Sequence, residues 1–143
     1  MTDAIAAFGT YLKVGDGASP EVFTTIAEVL DIDGPELEQD TEEVTSHSSS
    51  GGWEEFIGTI LRTGEVSFEV NYVPTGATHD ASTGLLADMV AKTLRNFQLI
   101  WPDSGSTTWS FSALVTGFTP AAEVDGALRG EFTLKLSGQP TLA

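Results

Sequence analysis

The chain of 143 residues contains no cysteine, which excludes thiol catalysis, a disulfide framework and any zinc site built on thiolates. Positive charge is nearly as scarce. Six basic residues stand against 21 acidic ones, a formal net charge of −15. Gripping a nucleic-acid backbone takes a Lys or Arg for each phosphate neutralised, so this chain repels a polyanion. Long apolar runs are missing too. No stretch approaches the ~18 to 20 apolar residues that cross a bilayer, and the start, MTDAIAAFGTYLKV, lacks the basic region and apolar core of an export signal. The expectation is a soluble protein made in the cytoplasm, with no membrane partner.

Hydrophobic content is 41 %, enough for one domain over residues 1–143 to bury a core without a staple. Acid is unevenly placed. Residues 14–61 hold no Lys or Arg but twelve of the 21 acids, from Asp16 to Glu55. Within them residues 40–57, DTEEVTSHSSSGGWEEFI, open as a polar Ser/Gly loop and close on Trp53, Phe56 and Ile57. A solvating linker has little use for such an ending, and long insertions between strands are functional or disordered. The reading is an assembly arm, unfolded alone and ordered against a neighbour, carried by Val44, His47, Trp53, Glu54, Glu55 and Phe56.

Strand periodicity marks most of the rest. Residues 8–14 alternate, the turn sequence GDGASP follows, and residues 22–30 are rich in β-branched side chains. Residues 64–73, GEVSFEVNYV, carry the cleanest alternation: Val66, Phe68, Val70 and Tyr72 on a core face, Glu65, Ser67, Glu69 and Asn71 on a wet one. Asp80 or Ser82 can cap a helix over about 82–93 whose buried stripe is Leu85, Leu86, Met89 and Val90. FQLIW and TTWSFSALV form a hairpin across Pro102-Asp103-Ser104-Gly105, and residues 128–136 place Leu128, Phe132, Leu134 and Leu136 together. The predicted fold is mainly β, an antiparallel sandwich or barrel of about six or seven strands with one flanking helix and a long loop.

Chemical sites fail on inspection. Asp31, Asp33 and Glu42 sit at calcium-loop spacing, but Glu36 takes the glycine position, Pro35 and Leu37 replace ligands, and the flanking helices are missing. His47 and His79 both fall in polar loops and are expected to be solvated. Ser46 and Ser48 beside His47 make no triad without an orienting scaffold. Glu54 and Glu55 are neighbours, whereas paired catalytic carboxylates face each other from separate elements. Gly15-Asp16-Gly17 has no third glycine and an acid that repels phosphate. Neither an enzyme nor a cofactor is expected.

The succession of elements resembles the major tail tube proteins of lambda-type long-tailed phages, over roughly residues 8–140. Glu36-Leu37-Glu38 lead into a Ser-rich loop, an aromatic with acids follows, and VTSHSSSGGWEEFIGTILRTGEVSFEVNYVP ends on the pattern G-x-x-S-x-x-x-x-Y-x-P. The helix, FQLIWPDSGSTTWSFSALVTGF and the closing LRGEFTLKLSGQP come in the same order. The resemblance implies hexameric rings stacking into a tube that delivers DNA, in a virion tail or a related prophage or gene transfer agent particle. It also implies tail terminator, tape measure and initiator proteins as partners. The wet face Glu65, Ser67, Glu69 and Asn71 is then expected to line the bore or its rim. Other readings are a head-tail joining or terminator ring, and a soluble acidic β-sandwich that binds a carbohydrate on Trp101 or Trp109, or a cation.

Overall fold

The computed structural model describes residues 2–143. Nine strands and one α-helix appear among the described residues: β1 (Tyr11–Gly15), β2 (Phe23–Thr25), β3 (Val29–Asp33), β4 (Leu37–Glu43), β5 (Phe56–Thr63), β6 (Glu65–Asn71), α1 (Leu85–Ala91), β7 (Arg95–Ile100), β8 (Thr108–Ala122) and β9 (Leu128–Leu142). Seven strands form one antiparallel sheet in the order β2-β1-β7-β8-β9-β6-β3, and β4 pairs β5 in a separate ribbon.

The connectivity dictates how the large sheet curls. β2 and β3 are its two opposite edges, yet only residues 26–28 join them. Four peptide units reach at most about 14 Å, so the edges must approach each other and the sheet wraps into an open, sandwich-like shell without a closing ladder. The joining residues are tied on both sides. Ile26 donates to the Leu12 carbonyl at 2.9 Å and is buried, and the Glu28 carbonyl accepts from Asn71 N–H at 2.9 Å. Glu28 itself has φ 59, a left-handed turn that splits the single strand expected over 22–30 into β2 and β3.

β8 and β9, each 15 residues long, are the spine. The first half of β8 pairs β7, and the first half of β9 pairs β6, so one long hairpin serves both halves of the sheet. Register shifts at Ser110/Ser112 and Val115/Gly117 bend it, as bulges do where a sheet must turn a corner. The side chains of one face then meet inside. Phe68 stacks on Phe132 at 5.5 Å and Phe97 on Phe111 at 5.9 Å, while Phe118 meets Phe132 tilted at 4.4 Å. Leu12, Val66, Val70, Leu99, Ala113 and Leu134 fill the space between them and are fully buried. The Phe118 ring lies where a Cβ at Gly130 would stand, 2.4 Å away, so no larger residue fits position 130 without moving the ring.

The helix lies against β8 with Leu85 buried and Leu86 and Met89 packed on the core. Of the expected stripe, Val90 is the exception, 76 % exposed, because the helix is only two turns long and its last turn runs out over solvent. Helix entry is set by Asp80. Its carboxylate accepts from the backbone N–H of Ser82, Thr83 and Gly84 at 3.3, 2.8 and 2.8 Å, which holds its pKa below the usual 3.8, the Thr83 bond contributing most. Gly84 follows as the N-cap, with space for no side chain: a Cβ there would stand 2.5 Å from the Asp80 nitrogen.

His79 corrects the expectation of a solvated loop histidine. It is fully buried, Nδ1 accepting from Val73 N–H at 3.2 Å and Nε2 meeting the Ala27 carbonyl at 2.8 Å. With Nδ1 accepting, the proton sits on Nε2 and donates to Ala27. The ring thus bridges the loop after β6 to the short link between the sheet edges, and Tyr72 and Phe132 pack around it.

Candidate assembly surface

The expected arm is a β-ribbon whose strands reach further into the insertion than the sequence suggests. Residues 40–43 lie in β4 and residues 56 and 57 in β5, leaving 44–55 as the loop between them. The pairing runs Leu37↔Thr63, Glu38↔Arg62, Gln39↔Leu61, then Thr41↔Gly58, Glu42↔Ile57 and Glu43↔Phe56, with a register shift that sets Thr59 and Ile60 opposite Asp40. Seven or eight residues at about 3.4 Å each carry the tip roughly 24 Å along the ribbon.

The tip holds its own shape through serine and threonine. Ser49 is buried, its hydroxyl accepting from Ser46 N–H at 2.9 Å and donating to Glu55 Oε2 at 2.8 Å. Glu55 N–H donates to Thr45 Oγ1 at 2.9 Å, and Val44 N–H to the Glu55 carbonyl at 2.8 Å. Polar side chains replace the ladder bonds that a loop cannot make. The arm is therefore a hairpin with a serine-fastened tip rather than a structureless segment.

Its apolar side chains find no cover. Trp53 is 78 % exposed, Leu61 77 %, Phe56 55 %, Ile57 52 % and Ile60 56 %. Strand alternation puts Phe56 and Leu61 on one face of the ribbon, and Ile57 on the other with Glu42 and Arg62. A two-stranded ribbon is marginal alone in water, and this one shows apolar groups on both faces. Val44 is half exposed, while His47 and Glu54 point into solvent. Area makes the same point for the whole chain. A compact 15.1 kDa monomer is expected to expose about 7,100 Å² by mass scaling, and this chain exposes 9348 Å². The excess of about 2,200 Å² exceeds the ~800 Å² that one partner contributes to a standard interface.

Acid is concentrated on the same element. From Glu36 to Arg62 seven carboxylates face one base, and Arg62 Nε binds Asp40 Oδ2 at 2.7 Å with both side chains largely exposed. The Glu38 carboxyl is pushed above the usual range, first by a hydrogen bond with the Glu36 side chain and then by that group's charge.

The wet face of β6 carries Glu65, Ser67, Glu69 and Asn71 as expected, and pairing extends it into a broad polar wall. Asp33, Ser67, Thr133 and Gly117 stand in one row, and Glu65, Lys135 and Leu114 in another. Lys13, Gln98 and Ser110 continue it across β1, β7 and β8. Charges of both signs meet on the wall, where Glu131 stands opposite Glu69 and Asp33 opposite Ser67. Glu69 accepts from Arg129 at 3.1 Å, and Glu65 sits opposite Lys135.

No group of His, Asp or Glu among the described residues could hold a metal ion. The cavity beneath α1, about 270 Å³, is spanned by Arg95, which binds Asp88 at 3.0 Å and the Asp16 carbonyl at 2.9 Å. Trp101 and Trp109 meet edge to face at 5.3 Å, partly buried against the core, and with Ile5, Ala7 and Pro102 they line an open apolar hollow. Among the described residues no helix is long and apolar enough to cross a membrane.

Similar folds occur in tail and injection assemblies. A chain in the virion of a native gene transfer agent particle superposes with TM-score 0.74 at 20 % identity, over 98 % of this chain and 99 % of that one. A chain in the tail of an empty gene transfer agent particle with C6 symmetry gives TM-score 0.72 at 23 % identity, over 98 % and 99 %. A chain in the sheath/tube terminator structure of an extracellular contractile injection system, in the extended state, gives 0.71 at 14 % identity, over 100 % and 99 %. At these identities the likeness is one of fold. Among curated proteins none matches the sequence. The family described as lambda phage tail tube protein matches residues 9–143. With the curled sheet, the polar wall and the acidic ribbon all inside that span, the chain belongs to the lambda phage tail tube protein family.

Proposed function

We propose that the chain is the wall subunit of a tail tube, assembling into hexameric rings that stack head to tail around a bore through which DNA is delivered. The observation that carries the reading is the ribbon of β4 and β5, which exposes Trp53, Phe56, Ile57 and Leu61 from both faces at once. One covered face would suffice for a dimer. A ribbon apolar on two faces fits insertion between copies, and a head-to-tail contact closes by rotation into a ring and continues by translation into a filament. Six copies follow by analogy with the C6 tail that shares the fold.

In this arrangement the polar wall faces the bore. Its opposite face is committed to Phe68, Phe97, Phe111 and Phe132, and its surface of Ser, Thr, Gln and mixed charge, Glu131 and Asp33 included, offers DNA neither a cationic grip nor an apolar one. Tube growth would be started by an initiator, measured by a tape measure protein and ended by a terminator. The particle is a phage virion or a gene transfer agent. Electron microscopy of the concentrated protein decides between the readings: long tubes support a wall subunit, isolated rings a terminator or head-tail joining ring, and dispersed monomers a binding module.

A further inference from the structure

The arm needs a seat, and its charge restricts where that seat can be. Seven carboxylates against one base give the segment from Glu36 to Arg62 a net charge of −6 out of the chain's −15, so the remainder still carries −9. Most of a second copy therefore repels the arm. A seat must combine exposed apolar surface for Trp53 with positive charge for the carboxylates around it.

The six basic residues can be taken one by one. Arg62 belongs to the arm, and Arg95 and Arg129 are held by Asp88 and Glu69. Lys135, opposite Glu65, and Lys13, between Gln98 and Thr25, make no ion pair either, but both stand on the polar wall that the assembly reading turns to the bore. Lys92 remains. It closes α1 in the left-handed conformation with φ 58 and is exposed, with no ion-pair partner among the described residues. Two residues to either side stand Val90 and Leu94, 76 % and 53 % exposed.

We infer that the end of α1 on a second copy is the seat of the arm tip, with Trp53 packing on Val90 and Leu94 and the Glu54 carboxylate pairing with Lys92. The inference rests on the assembly reading and supplies its acceptor. The contact is between copies, because within one chain Trp53 stays largely exposed. It also gives a use to Val90, an apolar side chain that a two-turn helix turns away from its own core.

The chain has three lysines and no cysteine, so a carbodiimide, which joins a carboxylate to an amine only where they touch, reports on very few positions. Applied to assembled tubes, it should yield a peptide joining Lys92 of one chain to Glu54 of another, absent from the dilute subunit. Lys92→Glu should raise the concentration needed for assembly about tenfold or more, and Lys92→Glu with Glu54→Lys should restore it to within about threefold, as a swapped ion pair does. Tubes in which Lys92 is joined to no arm carboxylate overturn the inference, as does Lys92→Glu assembling at the wild-type concentration. If Lys92→Glu does not fold, the cross-link on the unmodified chain decides. Tubes without the link refute only the seat, whereas a wild-type chain that forms neither rings nor tubes refutes the assembly reading and the seat with it.

Discussion

Replacing Trp53 by Ala separates folding from assembly, because the indole contributes to them so unequally. A Trp side chain can bury up to about 250 Å², and Trp53 is 78 % exposed. About a fifth, roughly 50 Å², is hidden within the subunit, chiefly where the ring lies over Gly51, whose Cβ would stand 3.1 Å from it. At about 25 cal/mol per Å² that is ~1 kcal/mol, an upper bound because the unfolded chain hides some of the same surface. The remaining ~200 Å² is free to be covered by a neighbour, and truncating a buried aromatic anchor at an interface costs about 2 to 4 kcal/mol. The subunit should therefore lose at most about 1 kcal/mol in chemical denaturation of the dilute protein. Each contact in the assembly should weaken by about 30-fold to 1,000-fold, seen as a loss of sedimenting polymer. A variant that loses 3 kcal/mol or more as a monomer yet polymerises normally would show that the indole belongs to the subunit's own core, and the arm argument would fail.

Further expectations follow from the same geometry. His79→Leu removes the acceptor for Val73 N–H and the donor to the Ala27 carbonyl, leaving two buried backbone groups unpaired at about 1 to 3 kcal/mol each; thermal unfolding should drop accordingly, and an unchanged midpoint would contradict the bridging role. Asp80 and Asp103 have folded pKa values lowered from 3.8, Asp80 chiefly by Thr83 N–H and Asp103 chiefly by the Thr107 hydroxyl. A lowered folded value means stability present above 3.8 and lost as pH falls through that lower value, so Asp80→Asn with Asp103→Asn should flatten acid unfolding in that window, read by circular dichroism. Salt should promote assembly, because shortening the Debye length from ~10 Å at 0.1 M to ~3 Å at 1 M screens repulsion among acidic subunits; sedimentable polymer that falls steadily with salt would show that ion pairs dominate instead.

The parts legible in the sequence are those whose signal is local. Val66, Phe68 and Val70 alternate with Glu65, Ser67 and Glu69, and burial follows that alternation residue by residue. The hairpin of β7 and β8 reads from its turn, where Asp103 accepts from Thr107 N–H at 2.7 Å. What stayed hidden depends on residues far apart. Glu42 and Glu43 have weak strand preference and become strand by pairing with Ile57 and Phe56 across the loop. The approach of β2 to β3 follows from their positions at opposite edges, which only the complete strand order reveals.

On the candidate surface, the exposed aromatics are legible in the sequence and the charge pairing is not. Trp53 and Phe56 after a serine-rich loop stand out in sequence, and both are exposed as an arm requires. The pairing of Glu69 with Arg129 could not be read, because their strands meet only through the β6–β9 register. His79 sits in a polar run that resembles any surface loop, and its burial comes from Tyr72, Phe132 and the Ala27 carbonyl closing over it. Helical spacing groups Val90 with the core because it does not show where a short helix leaves the sheet.

A helical reconstruction of the assembled protein tests the central claim most directly. The account predicts stacked six-membered rings, with Ser67, Gln98, Ser110 and Thr133 facing the bore and the β4–β5 ribbon of each subunit seated between other copies. A tube whose bore is lined by α1 and the arm, or rings in which the ribbon stays free in solvent, would contradict it.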